Sequence, residues 1–208
     1  AKIETSYSAR TKTPKFVDGV RYVQMVNEAF TTRSKPAPYS DGDIELFANG
    51  LDPELFPNVD WMDLILKKGA PIYRATVDLS GGGTTARYFV SASYVDEGGM
   101  YKVDEGLKDY NTNANYRRWN YRLNVDMDIT KSTLLKVGVA GSLDKKNEPG
   151  MAGNIWASAM RNNPISVPVM YSNGYVPAYG SENDQLNPWV AATQTGYQET
   201  WNNKLQAN

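Results

Sequence analysis

The sequence contains no cysteine and no histidine among its 208 residues. The chain therefore cannot form a disulfide, use a thiol nucleophile, or perform histidine acid–base catalysis. A structural zinc site built from cysteine and histidine ligands is excluded for the same reason. These absences remove several large classes of enzyme and metalloprotein from consideration.

The chain also lacks a long apolar run and an excess of one charge. Its mean hydropathy is −0.54, and no stretch approaches the roughly 20 mostly apolar residues of a membrane helix. Its 22 basic and 23 acidic residues give a net charge of −1, whereas nucleic-acid-binding proteins usually show a strongly basic patch. We therefore expect no nucleic-acid partner. The low mean hydropathy does not exclude a membrane barrel, because alternation of apolar and polar residues halves the hydropathy of each strand.

Two adjoining segments, 116–130 and 133–144, alternate apolar and polar residues for an unusual length. A period of two places successive side chains on opposite faces of a sheet. Globular strands average about 5–6 residues, whereas a membrane-spanning strand needs roughly 9–11. The predicted lipid-facing side chains are Trp119, Tyr121, Leu123, Val125, Val137 and Val139. The predicted lumen-facing side chains are Arg118, Asn120, Arg122, Asn124 and Asp126.

A soluble β-sandwich is the alternative explanation of this alternation. Its core would bury the same apolar side chains at about 1.5–3 kcal/mol each, so alternation alone does not separate the two. Strand length and the aromatic residues at one end of segment 116–130 favour a membrane barrel. Turning the polar face to lipid would cost about 2–4 kcal/mol for an arginine near the bilayer midplane. We therefore expect that face to meet water.

The predicted elements are separated by connections of alternating length. They are a strand at 1–11, a long outer loop with helices at 12–69, two β-hairpins at 70–146, an outer loop at 147–197 and the start of a strand at 198–208. Long loops on one side and short turns on the other are typical of outer-membrane barrels. Within the loops, Asp18, Ser40 and Asp60 are predicted helix N-caps, and Trp61 is predicted to pack beneath the first loop. Residues 165–171 are predicted as a small strand and 177–195 as loop.

The candidate ligand contacts lie in the outer loop 147–197. Sugars and peptides are commonly held by aromatic faces beside hydrogen-bonding groups. The candidates are Trp156, Arg161, Asn162, Tyr171 and Tyr175. For Trp156, packing in a small core of its own loop is the alternative role.

No motif in the sequence supports catalysis. The run Gly81-Gly82-Gly83 lacks the lysine and the spacing of a phosphate-binding loop, so it predicts a hairpin turn. Asp41 and Asp43 lack the later ligands of a calcium loop. Carboxylates could pair as in a glycosidase, but no pocket is evident to hold them. We expect a protein that is not an enzyme and that has no cofactor and no metal.

Eight short strings along the chain are similar, in the same order, to those of one protein family. They are Asn27-Glu28-Ala29, Phe56-Pro57-Asn58-Val59-Asp60-Trp61, Val77-Asp78-Leu79-Ser80-Gly81-Gly82, Arg87-Tyr88-Phe89-Val90-Ser91, Tyr94 with Glu97-Gly98-Gly99, Arg118-Trp119-Asn120-Tyr121-Arg122-Leu123-Asn124-Val125, Asn163-Pro164-Ile165 and Tyr171-Ser172-Asn173-Gly174-Tyr175. Each string is short, but the ordered set extends over nearly the whole chain. On these strings the chain resembles the SusC/RagA-like TonB-dependent outer-membrane transporters.

The resemblance implies a mainly β fold, an antiparallel segment of a transmembrane β-barrel with long, partly helical extracellular loops, in the bacterial outer membrane. It implies energised import of oligosaccharides or peptides, with a SusD-like surface lipoprotein as a lid. Family members also have a plug and a TonB box, so we expect a fragment, with TonB acting through regions absent from this chain. The alternatives are a soluble glycan-binding β-rich module and a structural surface protein.

Overall fold

The strands of the computed structural model form one six-stranded antiparallel sheet in which each strand pairs with the next along the chain. The structure describes residues 1–106, 109–177 and 187–208. The strands are β1 (Lys2–Ala9), β2 (Gly69–Gly82), β3 (Ala86–Glu97), β4 (Tyr116–Thr130), β5 (Thr133–Pro149) and β6 (Tyr197–Ala207). Because β1 and β6 pair on one side only within the described residues, the sheet is open at both edges.

The central strands are long enough to cross a bilayer. β4 has 15 residues and β5 has 17, and at about 3.4 Å per residue each exceeds roughly 50 Å. The strands predicted from alternation are confirmed. The alternation ends near Asp144, but β5 continues to Pro149, because Pro149 and its neighbours pair with β6 from Tyr197 onward.

Short turns and long connections lie at opposite ends of the sheet. Residues 83–85 join β2 to β3, and residues 131–132 join β4 to β5. Gly83 N donates to Ala86 O at 2.8 Å in the first of these turns. The long connections are 10–68, 98–115 and 150–196. Since the strands are antiparallel neighbours, all three long connections leave the same end of the sheet.

Five helices occur in the long connections of the described part of the chain. They are α1 (Gly19–Thr31), α2 (Asp41–Asn49), α3 (Trp61–Ile65), α4 (Ala152–Arg161) and α5 (Pro188–Thr193). The three predicted N-caps are confirmed: Asp18, Ser40 and Asp60 accept backbone hydrogen bonds at the starts of α1, α2 and α3. These bonds satisfy N–H groups that have no partner inside the helix.

At α2 the cap is reciprocal. Asp43 N donates to Ser40 Oγ at 3.2 Å, and Ser40 N donates to Asp43 Oδ2 at 2.8 Å. The Ser40 backbone N–H, followed by the Ser40 hydroxyl, holds the pKa of the Asp43 carboxyl below its ordinary value. A depressed pKa means that this contribution to stability is present at neutral pH and is lost as the pH falls through the folded-state pKa.

Replacement of Ser40 by alanine should destabilise α2 by about 1 kcal/mol, because Asp43 N loses its acceptor. Amide hydrogen exchange across residues 41–49 in the full-length protein would measure the change. Ser6→Ala is the control, since Ser6 is exposed in β1 and lies outside the helices. Equal exchange rates in the two variants would contradict a stabilising role for the cap.

Two predictions about the third long connection were wrong. Residues 165–171 form a turn, bends and irregular backbone rather than a strand, and Tyr171 N donates to Tyr175 O across the adjacent turn. The range 177–195 was predicted as loop, but α5 lies within it, and residues 178–186 fall outside the described residues. α5 forms because the Asn187 side chain accepts from Trp189 N, with Pro188 in the first helical turn.

The main buried core lies in the long connections rather than in the sheet. Its buried members come from α3, α4, α5 and the residue after α3: Trp61, Met62, Ile65, Leu66, Ile155, Ala159, Ala191 and Ala192. A six-residue helix such as α5 is too short to show a periodicity, and tertiary packing stabilises it instead. Across the described residues, no helix combines the length and apolar character that a membrane span requires.

Candidate functional site

One face of the sheet, here called the apolar face, is apolar over most of its area. Antiparallel register places Tyr88, Val125 and Val137 side by side, and Val90 beside Leu123 in the next row. These side chains are exposed: Leu123 is 38% exposed and Val137 is 40% exposed, although both belong to interior strands. The helices contact one another and α5 contacts β5, whereas a second layer over the centre of this face is absent from the described part of the chain.

Aromatic rings cross the apolar face at the end nearest the long connections. Tyr94 and Trp119 have centroids 5.3 Å apart, and Trp119 stacks on Trp201 with an interplanar angle of 6° and centroids 6.4 Å apart. We call these three residues the aromatic row. Trp201 was missing from the sequence-based candidates, although its place in the predicted strand 198–208 could have indicated it.

Ion pairs lie on the same face just beyond the aromatic row. Arg117 Nε is 3.2 Å from Asp96 Oδ2, and Lys145 Nζ is 2.7 Å from Glu199 Oε2. Trp201 Nε1 donates to Glu199 Oε1 at 2.6 Å. Along β3 and β4 the face therefore changes from aliphatic to aromatic and then to charged, which is the order of environments met on leaving a hydrocarbon layer.

The opposite face, the polar face, has a hydrogen-bonded network across β3, β4 and β5. Asn120 Nδ2 donates to Ser93 Oγ at 3.0 Å, and Arg118 Nε donates to Asn120 Oδ1 at 2.8 Å. Arg118 also pairs with Asp144 at 3.4 Å, and the Tyr116 hydroxyl donates to the same carboxylate at 3.1 Å. The remaining predicted lumen-facing residues, Arg122, Asn124 and Asp126, lie on this face by register.

Two of the family-like strings contact each other in the connections. Val59 N donates to Pro164 O at 2.9 Å, and Trp61 Nε1 donates to Asn163 O at 3.1 Å. Trp61 is 3% exposed, so the prediction that it packs beneath the first connection is confirmed. The strings 56–61 and 163–165 thus join the first and third long connections into one unit.

Other family-like residues hold this unit to α1 and α2. Asn58 Oδ1 accepts from Gly19 N at 2.7 Å at the start of α1. Asn27 forms two bonds to Tyr39: its Nδ2 donates to Tyr39 O at 2.8 Å, and its Oδ1 accepts from Tyr39 N at 3.0 Å. Tyr101 packs against the buried core formed by α3, α4 and α5 in the long connections, here called the connection core. Burial raises the pKa of the Tyr101 phenol.

The candidate ligand contacts are spread over separate clefts. Arg161 and Asn162 line a cleft of about 480 Å³ beside α1, together with Tyr22 and Met25. The sequence predicted helices in the first long connection but gave no sign that Tyr22 and Met25 would border a cleft. The structure therefore brings two of the five candidates together.

The other three candidates lie apart. Trp156 is 42% exposed and borders a cleft with Tyr101, so it does not pack inside the connection core. Tyr171 borders a third cleft with Glu54. Tyr175 is 74% exposed. In the described residues, no group of three or more carboxylate side chains could hold a metal ion.

Comparison with known proteins relates the chain to TonB-dependent receptors. No family model matches it. The chain is 27% identical over 208 residues to TonB-dependent receptor P26 of Formosa agariphila, a match that covers 91% of this chain and 20% of that protein. It is 26% identical over 146 residues to TonB-dependent receptor P3 of the same organism, covering 66% of this chain and 13% of that protein.

Solved structures show the same fold. The RagAB peptide transporter aligns with a TM-score of 0.56 at 18% identity, covering 91% of this chain and 23% of that one. The RagAB peptide importer in its "closed-closed" state gives 0.52 at 17% identity, covering 90% and 23%. The chain spans about a fifth or less of the length of the curated relatives it matches. The predicted resemblance is confirmed: the chain is similar in sequence to a segment of TonB-dependent receptors and in fold to a segment of RagAB.

Proposed function

We propose that this chain forms part of the barrel wall and the extracellular connections of an outer-membrane TonB-dependent transporter that imports oligosaccharides or peptides. The observation that supports this most directly is the uncovered apolar face of the sheet. Val77 and Leu79 are 54% and 59% exposed, and Leu123 and Val137 are exposed in the sheet interior. Hydrocarbon is the environment that such a face matches.

The soluble glycan-binding module requires a different arrangement. It would need a second layer over the apolar face, since a soluble sheet buries one face on a core. The described residues place their core in the connections instead. A structural surface protein meets the same objection, because it too would expose this face to water.

Within the transporter, the two faces have separate roles. The polar face lines a watery lumen, where the network around Arg118 and Asp144 keeps charged groups hydrogen-bonded. The joined connections dock a SusD-like lipoprotein lid and contact the substrate, for which the cleft beside Arg161 is the first candidate. TonB acts through parts of the protein outside this chain. The matched proteins are named receptors, transporters or importers, which favours transport over catalysis.

Thiol labelling would test the assignment of the faces. The chain contains no cysteine, so Val137→Cys and Lys136→Cys each add one thiol to it, on the apolar and polar faces respectively. In the full-length protein in vesicles, with any other cysteines replaced, we expect a membrane-impermeant maleimide to label Lys136→Cys at least tenfold faster. Rapid labelling of both positions would exclude hydrocarbon at Val137 and favour the soluble module.

The nature of the substrate requires an uptake experiment. Cells with the full-length protein would be compared with cells lacking it, for uptake of fluorescent oligosaccharides and fluorescent peptides. Uptake of one class that depends on the protein would identify the substrate class. Absence of uptake for both classes, in cells where labelling has confirmed membrane insertion, would contradict the proposed import activity.

A further inference from the structure

A polar cleft of about 310 Å³ lies beyond the aromatic row, where β4, β5 and β6 meet the second long connection. We call it the rim cleft. Its lining includes Arg117, Lys145, Glu199, Asn147 and Tyr197 from the strands. By register these side chains share the apolar face with Trp119 and Trp201. The rim cleft therefore opens on the outer side of the wall and not toward the lumen.

The cleft is a built feature, because a buried side chain fixes its upper wall. Asn147 is 6% exposed, and its Nδ2 donates to Asn111 O at 2.9 Å and to Asn113 O at 2.8 Å. These bonds hold the second connection against β5. Tyr110 stacks on Tyr197 with centroids 6.3 Å apart and an interplanar angle of 26°. Two aromatic rings thus close one side of a cleft whose other walls present amides and charges.

The charges in the cleft already compensate one another. Arg117 is paired with Asp96 at 3.2 Å and Lys145 with Glu199 at 2.7 Å. Asp109 adds a further carboxylate to the lining. A bare phosphate would therefore meet no excess of positive charge. Amides, carboxylates, cations and aromatic faces together suit a neutral ligand with many hydroxyl groups, which is the chemistry of a sugar ring.

The depth of the cleft indicates where such a sugar would come from. This inference rests on the proposed function, in which lipid covers the apolar face. A site just beyond an aromatic row on that face lies at the level of the lipid headgroups. Arg117 and Lys145 lie on β4 and β5, which have both neighbouring strands in place, whereas Tyr197 and Glu199 lie on β6, an edge strand of this sheet. Closure of the barrel would add a strand beside β6 and leave the outer side of the cleft facing the membrane.

We propose that the rim cleft binds the sugar headgroup of a glycolipid in the surrounding outer leaflet. The ring stacks against the Tyr110–Tyr197 pair, and its hydroxyl groups bond to the amides and charged groups of the lining. Binding there fixes the second connection relative to the membrane surface. The site is separate from the cleft beside Arg161, which opens among the helices.

The test uses the full-length protein in phosphatidylethanolamine nanodiscs containing a small fraction of a neutral glycosyl diacylglycerol. Native mass spectrometry counts the glycolipid molecules that stay bound. Tyr197→Ala should reduce retention roughly three- to tenfold, the range expected for loss of an aromatic stacking contact. Tyr73→Ala is the matched control: Tyr73 lies on β2, outside the cleft, in the register row of Arg117 and Lys145, and is 52% exposed against 54% for Tyr197. It should leave retention unchanged.

Equal retention by the wild type and Tyr197→Ala would overturn the proposal, as would equal losses in the two tyrosine variants. Displacement of the lipid by the free, deacylated sugar headgroup at equal concentration would show a sugar site without the lipid source, and would also overturn it. The Val137→Cys and Lys136→Cys labels are read in the same nanodiscs. Protected Val137→Cys with no glycolipid retention contradicts this inference alone, whereas labelled Val137→Cys contradicts the proposed function.

Discussion

Replacement of Val125 by arginine should lower the free energy of unfolding of the full-length protein in a bilayer by about 2–4 kcal/mol, the cost of an arginine on the lipid face near the midplane. The same replacement at the neighbouring Asn124 should cost less than about 1 kcal/mol. Urea titration of the protein folded into lipid vesicles would measure both values. Because the two positions are adjacent on one strand, the pair isolates the effect of the face.

The depth of Val125 is the reason for the large effect. Trp119 belongs to the aromatic row, and Val125 is six residues further along β4 toward the short turn. Six residues span about 20 Å along a strand, or roughly 14 Å of depth at a tilt near 45°. That depth is close to the centre of an apolar band about 25 Å tall. The guanidinium at Val125 would meet side chains such as Tyr88 and Val137 and no charge partner within its register row.

At Asn124 the same side chain has a favourable environment. Its register partner on β5 is Gly138, which leaves room for a longer side chain, and Asp126 lies two residues away on the same polar face. Equal destabilisation at the two positions would show that both faces meet the same environment. A larger cost at Asn124 would reverse the assignment of the faces.

The strands could be predicted from the sequence because one physical rule repeats along them. Alternation over 116–130 continues long enough to exclude a helix, and the observed register places Trp119, Leu123 and Val125 on one face as expected. The helix starts could also be predicted, because a helix cap involves residues that are close in sequence. The Ser40–Asp43 pair requires only a three-residue spacing.

Contacts between distant segments could not be predicted in this way. The bond from Trp61 to Asn163 O joins residues 102 positions apart, and nothing in either string names its partner. For α5, the Asn187-Pro188 pair is the sequence signal of a helix start, and the assignment of 177–195 as loop did not use it. The dispersal of Trp156, Tyr171 and Tyr175 has the same origin, since proximity in sequence does not place side chains around one cleft.

The second large effect is expected where Trp61 joins the first long connection to the third. Replacement of Trp61 by alanine should destabilise the connection core by about 3–5 kcal/mol, because a large buried ring leaves a cavity and Asn163 O loses a donor. Hydrogen exchange of α3 and α4 in the full-length protein would report the local change while β4 and β5 serve as an internal reference. Trp61→Phe should cost less, since it preserves much of the packing and loses mainly the hydrogen bond.

Trp156→Ala is the matched control, because it removes the same side chain from α4 at a position that is 42% exposed. It should change the free energy of local opening of α3, measured by hydrogen exchange, by less than about 1 kcal/mol. Equal effects of Trp61→Ala and Trp156→Ala would mean that the first and third connections are not joined through Trp61. If only Trp61→Ala loosens both α3 and α4, the two connections behave as one cooperative unit. A lid docked on such a unit would then be held by both connections together, and loosening the joint should weaken docking and uptake without unfolding the wall.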